Sequence, residues 1–282
     1  MVECVVVRPC FDDASSFSFE WCEEVIGWLK EKNVSLVDLA KENATRGKVE
    51  ATVQNENPKL IIFYNHGTDK GLVEQDGKGY VIDKENDHLL AGREIYTLAC
   101  EWGADGGVDA WKKGAVAVWC YVEVFTFSTE ALDEFQAFAN AGIKYKLEGH
   151  SWEECLRLAK ELADRLCQRL VDAGKYIASI LLKQDAEALR CYTQNSPPEE
   201  SKCIFRNVAL KLFGYKVGWK ISRHHALAFL TFWCGWGLAI HDFFAECSNP
   251  LRFPPHGFFY GIALITLSFF LATYDYVKWL RQ

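Results

Sequence analysis

The fold is decided by two stretches, Leu60-Ile61-Ile62-Phe63-Tyr64-Asn65-His66-Gly67 and Ile95-Tyr96-Thr97-Leu98-Ala99-Cys100. Each begins as a short, almost wholly apolar run, which is typical of a strand buried in a parallel sheet. Active sites of such sheets form beyond the carboxyl ends of the strands, so we expect His66 and Cys100 to lie close together there. An imidazole beside a thiol is the arrangement that a nucleophilic cysteine needs.

Strands alternate with helices along residues 1–195. This alternation predicts an α/β domain with a mostly parallel six-stranded sheet and helices on both faces. Residues 70–84, which are rich in Gly and Asp, are predicted as a loop or hairpin. The other strands are predicted at residues 2–7, 34–39, 115–124 and 176–182, with a short addition at 188–192, and the helices at 19–32, 48–55, 108–113, 129–141 and 152–173.

Charge is distributed unevenly along the 282 residues, whose net charge is -7. Residues 202–282 hold nine basic and three acidic residues, or +6, which leaves 22 basic and 35 acidic residues, or -13, for the rest. An acidic body disfavours nucleic-acid binding. The eleven cysteines form no Cys-x-x-Cys pair and the chain opens with no signal-peptide pattern. We therefore expect reduced thiols in a cytosolic body.

Two stretches near the end, 224–241 and 253–274, contain no Lys, Arg, Asp or Glu. They predict two transmembrane helices, at about 225–244 and 256–276, within a membrane anchor at 224–282. A linker and basic juxtamembrane segment at 196–223 precedes the anchor. The segments before and after the two spans carry more basic residues than the linker between them. We therefore expect a multi-pass protein with both termini and the acidic domain on the cytoplasmic side. The alternative is two buried helices of a soluble core.

The chemistry expected at the sheet edge follows from what a thiol requires. A nearby imidazole, here His66, or the N-terminus of the helix after Cys100 would lower the pKa of the thiol. Gly67 allows close approach, so its backbone N–H and that of Cys100 could form an oxyanion hole. The alternatives are a satisfied histidine at a strand end with a core cysteine, or a zinc site, which no second pair at ligand spacing supports. We expect no metal and no cofactor.

Asn65-His66-Gly67 and Leu98-Ala99-Cys100-Glu101 resemble the His-Gly and Ala-Cys signatures of caspase-like cysteine peptidases, the clan of caspases, legumain, gingipains and separase. Residues 110–119 and 149–155 resemble the CHAT branch, and the likeness covers residues 58–170. The resemblance implies a caspase-like fold in which His66 is the general base or orienting imidazole and Cys100 forms the thioacyl intermediate. No third, acidic member is implied. Trp102 departs from the pattern, because the family has a small residue there.

Two acids are candidates for a primary specificity pocket. Glu123 and Asp185 lie at or beyond the ends of predicted strands. An acidic pocket floor would favour Arg or Lys before the cut, as in several relatives. The alternative is that both are ordinary solvated loop acids.

The function expected from these features is a membrane-anchored caspase-like cysteine endopeptidase that acts on a protein or peptide. By family analogy, an activating protein partner or clustering would switch it on in stress, cell-death or antiviral defence. One alternative is a catalytically silent caspase-fold binding module. Another is a membrane-perturbing effector gated by the cytosolic domain.

Overall fold

The structure is a computed structural model that describes residues 2–198. The predicted anchor at 224–282, and the segment 196–223 beyond residue 198, lie outside the described residues. Within residues 2–198, none of the helices combines the length and the apolarity that crossing a bilayer requires.

A central sheet is built from six strands: β1 (Cys4–Arg8), β2 (Leu36–Ala40), β3 (Leu60–Tyr64), β6 (Glu94–Leu98), β7 (Ala117–Tyr121) and β8 (Leu189–Thr193). Their spatial order is β2-β1-β3-β6-β7-β8, and all neighbours are parallel except β7 and β8, which are antiparallel. Two further strands, β4 (Gly71–Val73) and β5 (Tyr80–Asp83), form a separate hairpin at the predicted place. The prediction of a mostly parallel six-stranded sheet is confirmed.

Helices cover both faces of the sheet, as predicted: α1 (Asp13–Glu31), α2 (Arg46–Glu56), α3 (Gly106–Lys112), α4 (Leu132–Leu147), α5 (Trp152–Asp172) and α6 (Tyr176–Ala188). Alternate residues of a strand face opposite sides of a sheet. In β1, Cys4 and Val6 therefore join the core under α1, α4, α5 and α6. Val5 and Val7 join a second core under α2, α3 and the hairpin.

The prediction of a strand at residues 176–182 is wrong, because these residues form the first half of α6. Ala178, Leu182 and Ala186 are buried at a spacing of four residues, which is the period of one helix face. A short apolar run does not distinguish a strand from a buried helix segment. The sixth strand is β8, where the short strand at 188–192 was predicted.

The first helix begins at Asp13, whereas the apolar periodicity predicts a start at residue 19. Asp12 caps the helix: its carboxylate accepts a hydrogen bond from the Ser15 N–H (2.7 Å), and its own N–H donates to Ser15 Oγ (2.9 Å). This reciprocal pair is a capping box. It fixes Asp12 in the loop that follows β1, next to the strand that leads to His66.

Candidate active site

Strand register brings the two predicted reactive side chains together. β3 and β6 are adjacent and parallel, and Tyr64 lies opposite Leu98 at their carboxyl ends. His66 and Cys100 each lie two residues beyond that pair. Both line the same cleft, so the structure brings together the histidine and the cysteine that the sequence singled out.

His66 is held by a carboxylate that the sequence analysis did not identify. His66 Nε2 lies 2.9 Å from Asp12 Oδ2 and 3.2 Å from Asp12 Oδ1. An ionised carboxylate only accepts hydrogen bonds, so Nε2 carries the proton in this contact. In a neutral imidazole of that tautomer, the basic lone pair is at Nδ1. Asp12 thus fixes which nitrogen of His66 is available as a base.

The charge state of Asp12 suits this role. Partial burial raises the pKa of Asp12, but hydrogen bonds from Ser15 and the proximity of His66 lower it, and the net pKa lies below its ordinary value. Asp12 is therefore ionised throughout the neutral range. Its side chain is 45% exposed and that of His66 is 36% exposed, so solvent screens their attraction.

The β4–β5 hairpin supports the segment that carries Asp12. Gln75 exchanges two hydrogen bonds with the backbone of Cys10: its Oε1 accepts from the Cys10 N–H, and its Nε2 donates to the Cys10 carbonyl, both at 2.8 Å. Next in the chain, the ring of Phe11 packs on His66 with centroids 5.6 Å apart. The hairpin, the β1–α1 loop and His66 therefore form one connected unit.

Cys100 is held mainly by burial. Its thiol donates a long hydrogen bond to the carbonyl of Phe125 (3.9 Å). Burial raises the pKa of the Cys100 thiol, and the negative charges of Asp185 and Glu101 raise it further. The expectation that His66 and the following helix lower the pKa of this thiol is therefore not met, since the pKa lies above its ordinary value and burial is the largest cause. The side chain of Cys100 is therefore a neutral thiol in the neutral pH range.

Gly67 lies where the segment after β3 passes close to the segment after β6, and only glycine fits there. A Cβ atom at this position would lie 2.8 Å from the Cβ of Ala99 and 2.9 Å from the carbonyl oxygen of Cys100, so a side chain does not fit. Gly67 also forms an isolated antiparallel bridge with Leu72. The hydrogen bonds of that bridge use the N–H of Thr68 and the carbonyl of His66, which orients the Gly67 N–H away from the hairpin.

Trp102 does not occupy the cleft. It is 1% exposed and packs in the core under α3, so this large residue near Cys100 lies in the core and leaves the cleft unchanged. Gly106 accommodates this packing, since a Cβ there would lie 2.6 Å from Trp102 Cδ1. Between Cys100 and Trp102, Glu101 adopts a left-handed conformation with φ of 57°, which turns the chain sharply after the nucleophile.

The cleft has a volume of about 70 Å³. One wall is the N-terminal part of α1, and the opposite wall is the loop 122–128 after β7. Apart from His66 and Cys100, its lining residues are apolar, aromatic or uncharged: Ala14, Ser15, Ser18, Trp21, Asn65, Leu98, Phe125 and Phe127.

The two candidate pocket acids lie apart from this lining. Glu123 has an exposed side chain, and its carbonyl accepts a hydrogen bond from the Glu101 N–H (3.0 Å). Asp185 is 1% exposed, and its Oδ1 accepts from the Thr126 N–H (2.9 Å). Burial raises the pKa of Asp185 to about 8. Asp185 therefore anchors the loop that carries Phe125 and Phe127.

Asp12 is the functional candidate that sequence reasoning missed. Its signal was the Asp12-x-x-Ser15 capping pattern, located just after an apolar strand whose carboxyl end faces the same edge as His66. In residues 2–198, no cluster of three or more His, Cys, Asp or Glu side chains is arranged to hold a metal ion.

Comparison with known proteins gives a single kind of match. No family model matches the chain, and no curated protein matches it. Among solved structures, the complex of Porphyromonas gingivalis RgpB pro- and mature domains is similar, with a TM-score of 0.44 and 10% sequence identity. The match covers 67% of this chain and 47% of that chain, so the chain spans about half the length of the protein that it resembles.

Proposed function

We propose that this chain is a caspase-like cysteine endopeptidase that uses His66 and Cys100 as its dyad. One observation carries the proposal: the two side chains line one cleft at the carboxyl edge of adjacent parallel strands, and a carboxylate holds the imidazole in a defined tautomer. A histidine with a purely structural role would not need to share a cleft with a thiol. The resemblance of the two short motifs to caspase-like peptidases agrees with this reading.

The reaction follows from the protonation states of these groups. Nδ1 of His66 accepts the proton of the Cys100 thiol, and the thiolate attacks the carbonyl carbon of the scissile peptide bond. The carbonyl oxygen becomes an oxyanion, for which the backbone N–H groups of Gly67 and Cys100 are the proposed donors. Collapse of this intermediate breaks the C–N bond, and the imidazolium gives its proton to the leaving amine. Water then hydrolyses the thioester with His66 as base, which regenerates the thiol.

Asp12 acts through His66 as a positioning residue. When the imidazole takes up the thiol proton, it becomes a cation next to the Asp12 carboxylate, and this attraction favours the ion pair over the neutral thiol and imidazole. The effect opposes the desolvation that raises the pKa of Cys100. Substrate binding that excludes water would strengthen it.

The membrane part of the proposal rests on the sequence alone. Residues 224–282 would tether the peptidase domain, with the domain and both termini on the cytoplasmic side. An activating protein partner fits a resting thiol whose pKa is raised, since the site needs a change in its surroundings to form the thiolate.

The same raised pKa favours one alternative, a binding module that keeps the fold and does not cleave. The two functions differ in one measurement. The full-length chain, solubilised in detergent, is incubated with a positional peptide library, alongside Cys100→Ala and the matched control Cys167→Ala, which removes a half-buried thiol on α5.

If the chain is a peptidase, the wild type and Cys167→Ala cleave the peptides, and Cys100→Ala does not. Equal cleavage by all three proteins would trace the activity to a contaminant. Absence of cleavage, together with a Cys100 that no electrophilic peptide labels, would favour the binding module.

A further inference from the structure

We propose that the cleft beside Cys100 receives an apolar side chain of the substrate, in the size range of valine or leucine, and rejects basic and acidic ones. This inference rests on the proposed peptidase function and names the class of residue that lies next to the cut. It differs from the acidic pocket floor that the sequence suggested with Glu123 and Asp185.

The chemistry of the lining carries the inference. The cleft extends from Cys100 between Leu98, Trp21, Phe125 and Phe127, so its walls are aliphatic and aromatic. Two aromatic contacts join these walls: the ring of Trp21 packs on Phe125 and on Phe127, with centroids 6.4 Å and 5.2 Å apart. A preformed apolar cavity next to a nucleophile fits an apolar group of the substrate.

The hydroxyl groups of the wall are already in use, and the buried Nδ2 of Asn65, which has no hydrogen-bond partner, carries no charge. Ser15 Oγ accepts from the backbone N–H groups of Phe11 and Asp12. Ser18 Oγ donates to the carbonyl of Ser15 (3.0 Å). A charged substrate side chain would lose its water in the cleft and find no opposite charge among the lining residues within 2–198, which is unfavourable.

The nearby carboxylates do not line the cleft. Asp12 is bound to His66 and to Ser15 at the rim. Asp185 lies beneath the loop 122–128, where it is 1% exposed and holds the Thr126 N–H. Neither presents a charge on the cleft walls to a lysine or arginine.

The size of the cavity limits the class of side chain. Its volume of about 70 Å³ is about half that of the ~150 Å³ apolar cavity known to hold a benzene ring. Aliphatic side chains of three or four carbons fit this space, whereas a phenylalanine ring requires the walls to move.

The test measures kcat/KM of the full-length chain for fluorogenic peptides that differ only in the residue before the cut: Val, Leu, Phe, Lys or Asp. We expect Val and Leu to exceed Lys and Asp by roughly 100-fold, because the penalty for an unpaired charge is large in an apolar site. Preference for Lys, lost in Asp185→Asn, would overturn the inference and establish the acidic pocket.

A gain-of-function variant tests the location of the cleft. Ser18→Asp places a carboxylate on the cleft wall, and Ser16→Asp adds the same charge to the same helix outside the lining. We expect cleavage after Lys to rise at least about tenfold in Ser18→Asp, by analogy with charge pairing in other pockets, and to stay unchanged in Ser16→Asp. Thermal melting verifies that both variants fold. Equal behaviour of the two folded variants would contradict the assignment.

Peptide binding tests the apolar cleft independently of catalysis. Calorimetry on Cys100→Ala compares peptides that end in Val with peptides that end in Lys. Tighter binding of the Val peptides supports an apolar pocket, and equal or reversed affinities overturn it. If no protein cleaves any peptide while Val peptides still bind more tightly, the peptidase proposal fails and the pocket assignment stands.

Discussion

The two sides of the cleft are stabilised by different interactions. On the histidine side, the charged Asp12 holds His66. Asp12 is itself held by the capping box with Ser15 and by the hydrogen bonds of Gln75 to the preceding Cys10. On the cysteine side, Cys100 is held by burial and one long hydrogen bond to Phe125. The imidazole of His66 is therefore held in a fixed orientation, whereas Cys100 is a neutral thiol. Under the proposed function, activation would therefore act on the thiol and its surroundings.

Removing the base should have the largest effect. We expect His66→Ala to lower kcat/KM by roughly 10³-fold, because general base catalysis and thiol activation are lost together. His150→Ala, in the connection between α4 and α5, is the matched control and should retain full activity. Peptide cleavage by the full-length chain measures both. Comparable activity of the two variants would show that His66 takes no part in proton transfer.

A substitution of Asp12 separates its contact with His66 from its capping of α1. Asn caps a helix as well as Asp, so Asp12→Asn should leave the free energy of unfolding within about 0.5 kcal/mol of wild type. We expect kcat to fall by roughly 10- to 100-fold, since Asn no longer stabilises the imidazolium. Asp13→Asn, one residue later in the exposed first turn, is the control. A variant with unchanged kcat would remove Asp12 from the mechanism.

On the cysteine side, the buried Asp185 should make the stability of the fold depend on pH. Burial raises the pKa of Asp185 from 3.8 to about 8, so folding binds a proton between these values. The stability linked to this group is complete below pH 3.8 and is lost as the pH rises to about 8. At pH 8.5 we expect Asp185→Asn to be more stable than wild type by roughly 2–4 kcal/mol, with a difference near zero at pH 4.

Denaturant unfolding at the two pH values measures the Asp185 prediction. Asp172→Asn, at an exposed position on α5, is the control and should follow wild type at both. A gain in stability of Asp185→Asn that is the same at pH 4 and pH 8.5 would contradict the account, because it would not come from titration of the carboxyl.

The smallest effect is expected for Gln75, which holds the loop that carries Asp12. Gln75→Ala removes two hydrogen bonds to the Cys10 backbone. We expect a loss of about 1–2 kcal/mol in the free energy of unfolding and a several-fold fall in kcat, because the Phe11–Asp12 segment loses its support. Gln54→Ala, exposed on α2, should change neither quantity. Loss of stability with unchanged kcat would restrict Gln75 to a structural role.

Sequence reasoning was most accurate where the signal was local and apolar. The runs leading to His66 and Cys100 are strands β3 and β6, and their adjacency follows from the rules of parallel sheets. It failed at residues 176–182, where a short apolar run allowed both a strand and a helix. It missed Asp12, since its contact with His66 joins residues 54 apart in sequence. No periodicity records such a contact, and burial of Asp185 depends likewise on tertiary packing.

The most direct test of the central claim is covalent labelling of Cys100. The full-length wild type, His66→Ala and Asp12→Asn are treated with peptidyl acyloxymethyl ketones, and the modified cysteine is identified by mass spectrometry. The account predicts labelling of Cys100 in preference to the other ten cysteines, lost in His66→Ala and weakened in Asp12→Asn. An unlabelled Cys100, or one labelled equally fast without His66, would contradict a catalytic dyad.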